Sequence, residues 1–213
     1  SQANQKPPLF INMPVGHYSS CEIHPPCGIV SVNEYLSQED SPHGFYAPNH
    51  TDAALLWFTW GFLEYQFSNY YLLQDKVSRI EFSFEICSEA PGYNNNWPSD
   101  ITFELNHRHI VTFLTKGDYG GRKGIYNPSW WSESITQFGE YKKICVTHEG
   151  CFMDNARISD ETIESLGLLD GYYFTFTLKV DPDSEHVGGM NLFGSRFGDY
   201  AQDIIMKVEY ENS

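Results

Sequence analysis

With 213 residues, 41% hydrophobic and 16% aromatic, the chain is long enough to bury a real core as one large β domain. Its 13 basic and 28 acidic side chains leave a formal net charge of −15, which argues against direct contact with nucleic-acid phosphates and disfavours an anionic membrane surface. No run of about 18 apolar residues occurs, so no transmembrane helix is expected; the nearest approach, 53–67, is interrupted by Thr59, Gly61 and Glu64.

Residues 1–8 read as a polar, proline-bearing leader to a single domain. Leu9 to Met13 is a short apolar run, and Cys21 to Val32 is β-like but bent at Pro25-Pro26. Leu55 to Phe67 is the longest aromatic strand candidate. Val77 to Cys87 alternates, with Ile80, Phe82, Phe84 and Ile86 on one face and Arg79, Glu81, Ser83 and Glu85 on the other. The stretch 101–114 reads as a hairpin turning near Asn106-His107. Strands follow at 141–147, at 172–180 with Tyr172, Phe174, Phe176 and Leu178 on one face, at 190–193 and at 204–210.

Helix signals are few: Ser159, Asp160 and Glu161 can cap a short turn through Leu166, stopped by Gly167. No βαβ alternation, glycine-rich phosphate loop or repeat is present. Many strands with Gly, Pro and Asn turns predict an all-β, antiparallel two-sheet sandwich of jelly-roll type, resembling carbohydrate-binding modules.

Five cysteines, an odd number, point to a reducing, cytoplasmic setting. Two matching spacings, Cys21-x2-His24-x2-Cys27 and Cys145-x2-His148-x2-Cys151, invite a reading as metal half-sites. Against it, His24 on a strand would point away from Cys21, and buried structural thiols are the commoner case. No metal or cofactor is therefore assigned.

Candidate ligand-binding groups fall on loops. Pro91-Gly92 and Trp97-Pro98 exclude a strand between the two β runs that flank them, so Glu89, Tyr93, Asn94 and Trp97 belong to an aromatic, amide-rich loop. In the glycine-rich segment 117–127, Asp118, Tyr119 and Arg122 could clasp a hydroxylated or anionic ligand. Trp130 of the Trp130-Trp131 pair could face a sugar while its neighbour packs. In the glycine-bearing segment 186–200, His186, Asn191, Arg196 and Asp199 complete the set. Each group has a bland reading as turn or packing chemistry. Paired carboxylates for glycoside hydrolysis could be drawn from Glu64, Glu85, Glu89 or Asp100, yet any acidic β domain offers such pairs. No nucleophile motif appears, so the chain is expected not to be an enzyme.

Five segments carry a family resemblance: INMPVGHYSSCEIHPPCGI (11–29), LLWFTWGFLEYQF (55–67), EICSEAPGYNNNWPSDITFELN (85–106), GDYGGRKG (117–124) and HVGGMNLFGSRFGDYAQDI (186–204). Together they resemble the C-terminal region of ArsR-like winged-helix bacterial transcriptional regulators. The resemblance implies an effector-sensing or oligomerising half, a homodimer, and a small-molecule effector such as a sugar. It also implies DNA contact only through an N-terminal winged-helix domain, for which these residues hold no basic helix-turn-helix pattern. A carbohydrate-binding module and a metal-sensing domain are the alternatives, with a glycoside hydrolase behind them.

Overall fold

Strict alternation along 77–87 puts Ile80, Phe82, Phe84 and Ile86 on one side of a strand, and all four side chains are buried. That strand, β6 (Val77–Cys87), is the spine of the larger of two antiparallel sheets in the computed structural model, which describes residues 5–212. Its companions are β1 (Leu9–Met13), β3 (Gly28–Val30), β4 (Leu55–Phe58), β9 (Glu140–Thr147), β10 (Cys151–Met153), β11 (Ala156–Ser159), β13 (Met190–Phe193) and β14 (Ile204–Tyr210). The smaller sheet runs β2 (Ser20–His24), β5 (Trp60–Ser68), β12 (Tyr173–Val180), β7 (Ser99–Leu105) and β8 (Arg108–Thr115). Successive strands repeatedly change sheet, as in a jelly roll. The fold class expected from the strand pattern is thus observed.

β6 is long enough to take two partners end to end on one side. β13 pairs with its Glu85–Cys87 end and β14 with residues 77–83. β9 runs along its other edge. The inner faces enclose an aromatic core in which Phe176 is central: its ring lies 4.9 Å from Phe103 and 5.4 Å from Phe82. A second, smaller core lies on the outer face of the larger sheet. There Leu55, Trp57 and Phe193 are covered by Trp131 and Phe197 from loops. Strands β3, β4 and β13 are therefore buried on both faces, which is why they read as unbroken apolar runs.

Several local readings are corrected. The stretch 55–67 is two strands, not one: the chain leaves the larger sheet after Phe58 and joins the smaller at Trp60, with Gly61 at φ +128° where the backbone of Glu22 approaches closely. The stretch 21–32 likewise divides into β2 and β3, one in each sheet. The short turn expected through Leu166 is present: the Leu166 N–H donates to the Thr162 carbonyl at 3.0 Å, and Gly167 follows at φ +67°. The hairpin β10–β11 went unpredicted, although its Asp154-Asn155 turn, with both residues at positive φ, is a recognisable signal. Tyr172 precedes β12 and is 90% exposed, so the inward face is formed by Phe174, Phe176, Leu178 and Val180. No helix among the described residues is long and apolar enough to cross a membrane.

Candidate functional site

A short turn after β3 starts the site. Ser31 N–H donates to the Glu34 carbonyl at 2.8 Å, and Leu36 N–H to that of Ile29 at 3.0 Å. This projects Tyr35, 39% exposed, beside Trp57 of β4 and Trp131 of the covering loop. The Tyr35 ring stacks on Trp131 with centroids 6.0 Å apart and meets Trp57 edge-on at 6.4 Å. Trp131 is anchored by its indole N–H, which donates to the Thr136 carbonyl at 2.7 Å. Trp57 needs the missing side chain of Gly28: a Cβ there would stand 2.1 Å from the indole ring. Gly28→Ala is therefore expected to displace Trp57 and cost about 1–3 kcal/mol by overpacking, read as a lower denaturation midpoint; an unchanged midpoint would contradict the packing.

Three carboxyl groups stand near the rings. Asp40 is clasped to Cys27 in both directions: its N–H donates to the Cys27 carbonyl at 2.7 Å, and its Oδ1 accepts the Cys27 N–H at 3.1 Å. This holds Asp40 at φ +64°, a region open to Asp at modest cost. Glu39 precedes it. Glu89, just beyond β6, is fixed by its N–H to the Gly188 carbonyl at 2.7 Å. The cleft between has a volume of about 220 Å³, lined by Glu39, Asp40, Glu89, Trp57 and the Pro91-Gly92 turn. A separate narrow recess of about 40 Å³ shares Glu39, Trp57, Glu89 and Gly92 with it and is lined also by Tyr35 and Trp131.

Burial pushes the Glu89 carboxyl up to about 8, and the neighbouring charges of Asp118, Asp40 and Glu39 push the same way. Asp118, behind it, is pushed up to about 7 by burial, although the Ala90 N–H donates to it at 2.9 Å. Buried Glu85 also sits near 7 because burial outweighs three backbone N–H donors. A carboxyl raised on folding stabilises below its ordinary range and loses that contribution as pH climbs through the folded value. Melting temperature is thus expected to fall between about pH 5 and about pH 9; a flat or rising profile would show that these carboxyls are not buried as described.

Of the groups singled out in the sequence, only Glu89 lines this cleft. The others are largely tied to one another beside it. Asn94 pairs backbone-to-backbone with Asp118. The Tyr119 hydroxyl donates to Glu140 at 2.8 Å while its ring stacks on Phe138. Arg122 makes a fork to Asp199, at 3.1 and 2.6 Å, and lies over the Phe138 ring. Tyr93 is 37% exposed and covers Gly120, and Trp97 is half-buried with its indole N–H unpartnered. Trp130 donates its indole N–H to the Val32 carbonyl at 2.6 Å. Asn191 is buried against the Ser88 carbonyl, His186 sits 3.3 Å from Asp100, and Arg196 is exposed. Tyr35, Glu39, Asp40 and Trp57 were missed. Their only sequence signal was an acidic pair following a turn, which by itself is unspecific.

The cysteine spacings do not converge into metal sites. The His24 ring stacks on Trp60 at 3.3 Å while Cys27 is buried behind Asp40, and all five thiols are free. His148 is held by Glu164 and the Val77 carbonyl. Among the described residues no cluster of three metal-type ligands forms. A larger cavity, about 510 Å³ at the far end of the larger sheet's outer face, is lined by Arg79, Lys143, Cys145 and His148. Arg79 is already paired with Glu81 at 2.7 Å, and His148 with Glu164.

The chain matches no family model and no curated protein. Among solved structures it is similar in outline to a family 7 alginate lyase, A1-II′, bound to product: TM-score 0.30, 11% identity, 95% of this chain and 97% of that one covered. A substrate complex of the same lyase gives 0.27 and 12%, covering 95% and 93%. A further structure of it gives 0.24 and 11%, covering 85% and 90%. Likeness at this level says nothing about a site or a reaction here. The expectation that the chain is not an enzyme does not stand: these neighbours are alginate lyases, at a likeness too low to give this chain an activity.

Proposed function

We propose that the cleft between Tyr35, Trp57 and Trp131 and the carboxyls of Glu39, Asp40 and Glu89 binds a carbohydrate. The observation that carries this reading is the joint lining of one cleft by the Trp57 indole and the carboxyls of Glu39, Asp40 and Glu89, with Tyr35 and Trp131 around an adjoining recess that shares Trp57, Glu39 and Glu89. Sugars have two such surfaces: C–H faces that pack on aromatic rings, and hydroxyls that donate to carboxylates. An acidic cleft in a chain of net charge −15 would repel a polyanionic saccharide, so the ligand class is a neutral or amino sugar.

Titration with neutral oligosaccharides, followed by tryptophan fluorescence and calorimetry, tests the reading. Saturable binding is expected, and Tyr35→Ala is expected to weaken it about tenfold, the loss of one aromatic stacking contact. Tyr35 is exposed outside the cores, so the variant keeps its fold. Absence of saturable binding to any neutral or amino sugar would overturn the proposal.

The residue resemblance to ArsR-like regulators extends it. In that reading, sugar occupancy of this cleft biases the DNA affinity of an attached winged-helix domain, through coupling between two sites. Five free thiols accord with a reducing cytoplasm.

A further inference from the structure

We propose that the cleft also cleaves the glycosidic bond of its ligand, with Glu89 as proton donor and Asp40 as the group that activates water. The inference rests on the carbohydrate reading above and adds a reaction to it. The two carboxyls line the same cavity but stand in different surroundings. Glu89 is part-buried and lines the cleft together with Trp57. Every charged group facing it is a carboxyl: Glu39 and Asp40 from the segment after β3, and Asp118 from the covering loop. No hydrogen bond favours its charged form, and at about 8 it keeps its proton at neutral pH. Asp40 is open to water and held in orientation by the Cys27 N–H on Oδ1, which leaves Oδ2 for a water molecule.

The step balances without any oxidant or reductant. Glu89 gives its proton to the glycosidic oxygen as the bond from C1 to that oxygen breaks, the electron pair staying on the oxygen. Water adds to C1, and Asp40 accepts the proton that water releases. One water is consumed and two hydroxylated sugars leave. Solvent returns a proton to Glu89 and removes one from Asp40. An arrangement in which a water stands between base and substrate inverts the anomeric configuration.

The test incubates the chain with oligosaccharides of glucose, mannose, xylose and N-acetylglucosamine, and follows reducing-end release, product anomers by NMR, and binding in parallel. The expected result is turnover that falls about 10²–10⁴-fold in Glu89→Gln with affinity held within a few-fold, since general-acid help is worth that much. Asp40→Asn is expected to lose turnover similarly, because Asn tolerates the same positive φ. The wild-type rate should fall as pH rises through about 8 and Glu89 loses its proton, a limb that Glu89→Gln removes. Saturable binding with no bond cleavage would overturn this proposal and leave the binding reading standing. Cleavage unaffected by Glu89→Gln would overturn it as well, and absence of binding would remove both.

Discussion

Phe176→Ala is expected to lower stability by about 3–5 kcal/mol, the usual cost of deleting a buried aromatic ring. The ring is fully buried on the inner face of β12 and lies within 6.0 Å of Phe67, Phe82, Phe84, Phe103 and Tyr65. These neighbours come from both sheets, so no single side chain can relax into the void without separating the layers. For a chain of this size each kcal/mol corresponds to roughly 2–4 °C, so the melting temperature should drop by about 10 °C. Tyr172→Ala, at a 90% exposed position four residues away, is the control, with an expected change within about 0.5 kcal/mol. Comparable losses in the two variants would mean that the inter-sheet core is not centred where the rings place it.

Glu85→Ala should do similar damage by a different route. Glu85 is completely buried on the outer face of β6 and accepts the Gly139 N–H at 2.8 Å, the Asp199 N–H at 3.0 Å and the Tyr200 N–H at 3.2 Å. One side chain thus ties two covering loops to the sheet. Alanine would leave those donors without their acceptor, at about 1–3 kcal/mol for each one that stays buried. The damage should be local first: faster amide exchange at Gly139, Asp199 and Tyr200, and red-shifted emission as Trp131 gains contact with water. Gly198→Ala probes the same cradle from the other side. Its Cβ would fall 2.3 Å from the Glu85 carboxylate, at φ +76°. Native-like exchange at all three amides in Glu85→Ala would show that the loops do not depend on this carboxyl.

The two results bear on function because the loops anchored by Glu85 also carry Trp131 and Asp118. Trp131 forms part of the aromatic wall, and Asp118 stands behind Glu89. Loosening them should enlarge the cleft and lower the affinity for sugars even though neither residue at the anchor touches a ligand.

Features that depend on neighbours along the chain were legible before any folding. The two-residue period of β6 and β12 sorts inward from outward side chains, and Asn106-His107, both at positive φ, mark the β7–β8 turn. Composition and punctuation sufficed for an all-β sandwich. The division of 55–67 between two sheets was not legible, because burial on both faces of β4 erases the alternation that would mark a boundary. The cleft was legible only at Glu89. Its walls come from Tyr35, Trp57 and Trp131, its carboxyls from Glu39, Asp40 and Glu89, and none of these spacings has a local signature. The loop groups the sequence did highlight, such as Arg122 and Asp199, meet each other instead of a cavity. Charge, turn chemistry and strand period are local properties; which loops cover a sheet and which side chains converge in the space left over is decided only when distant segments pack.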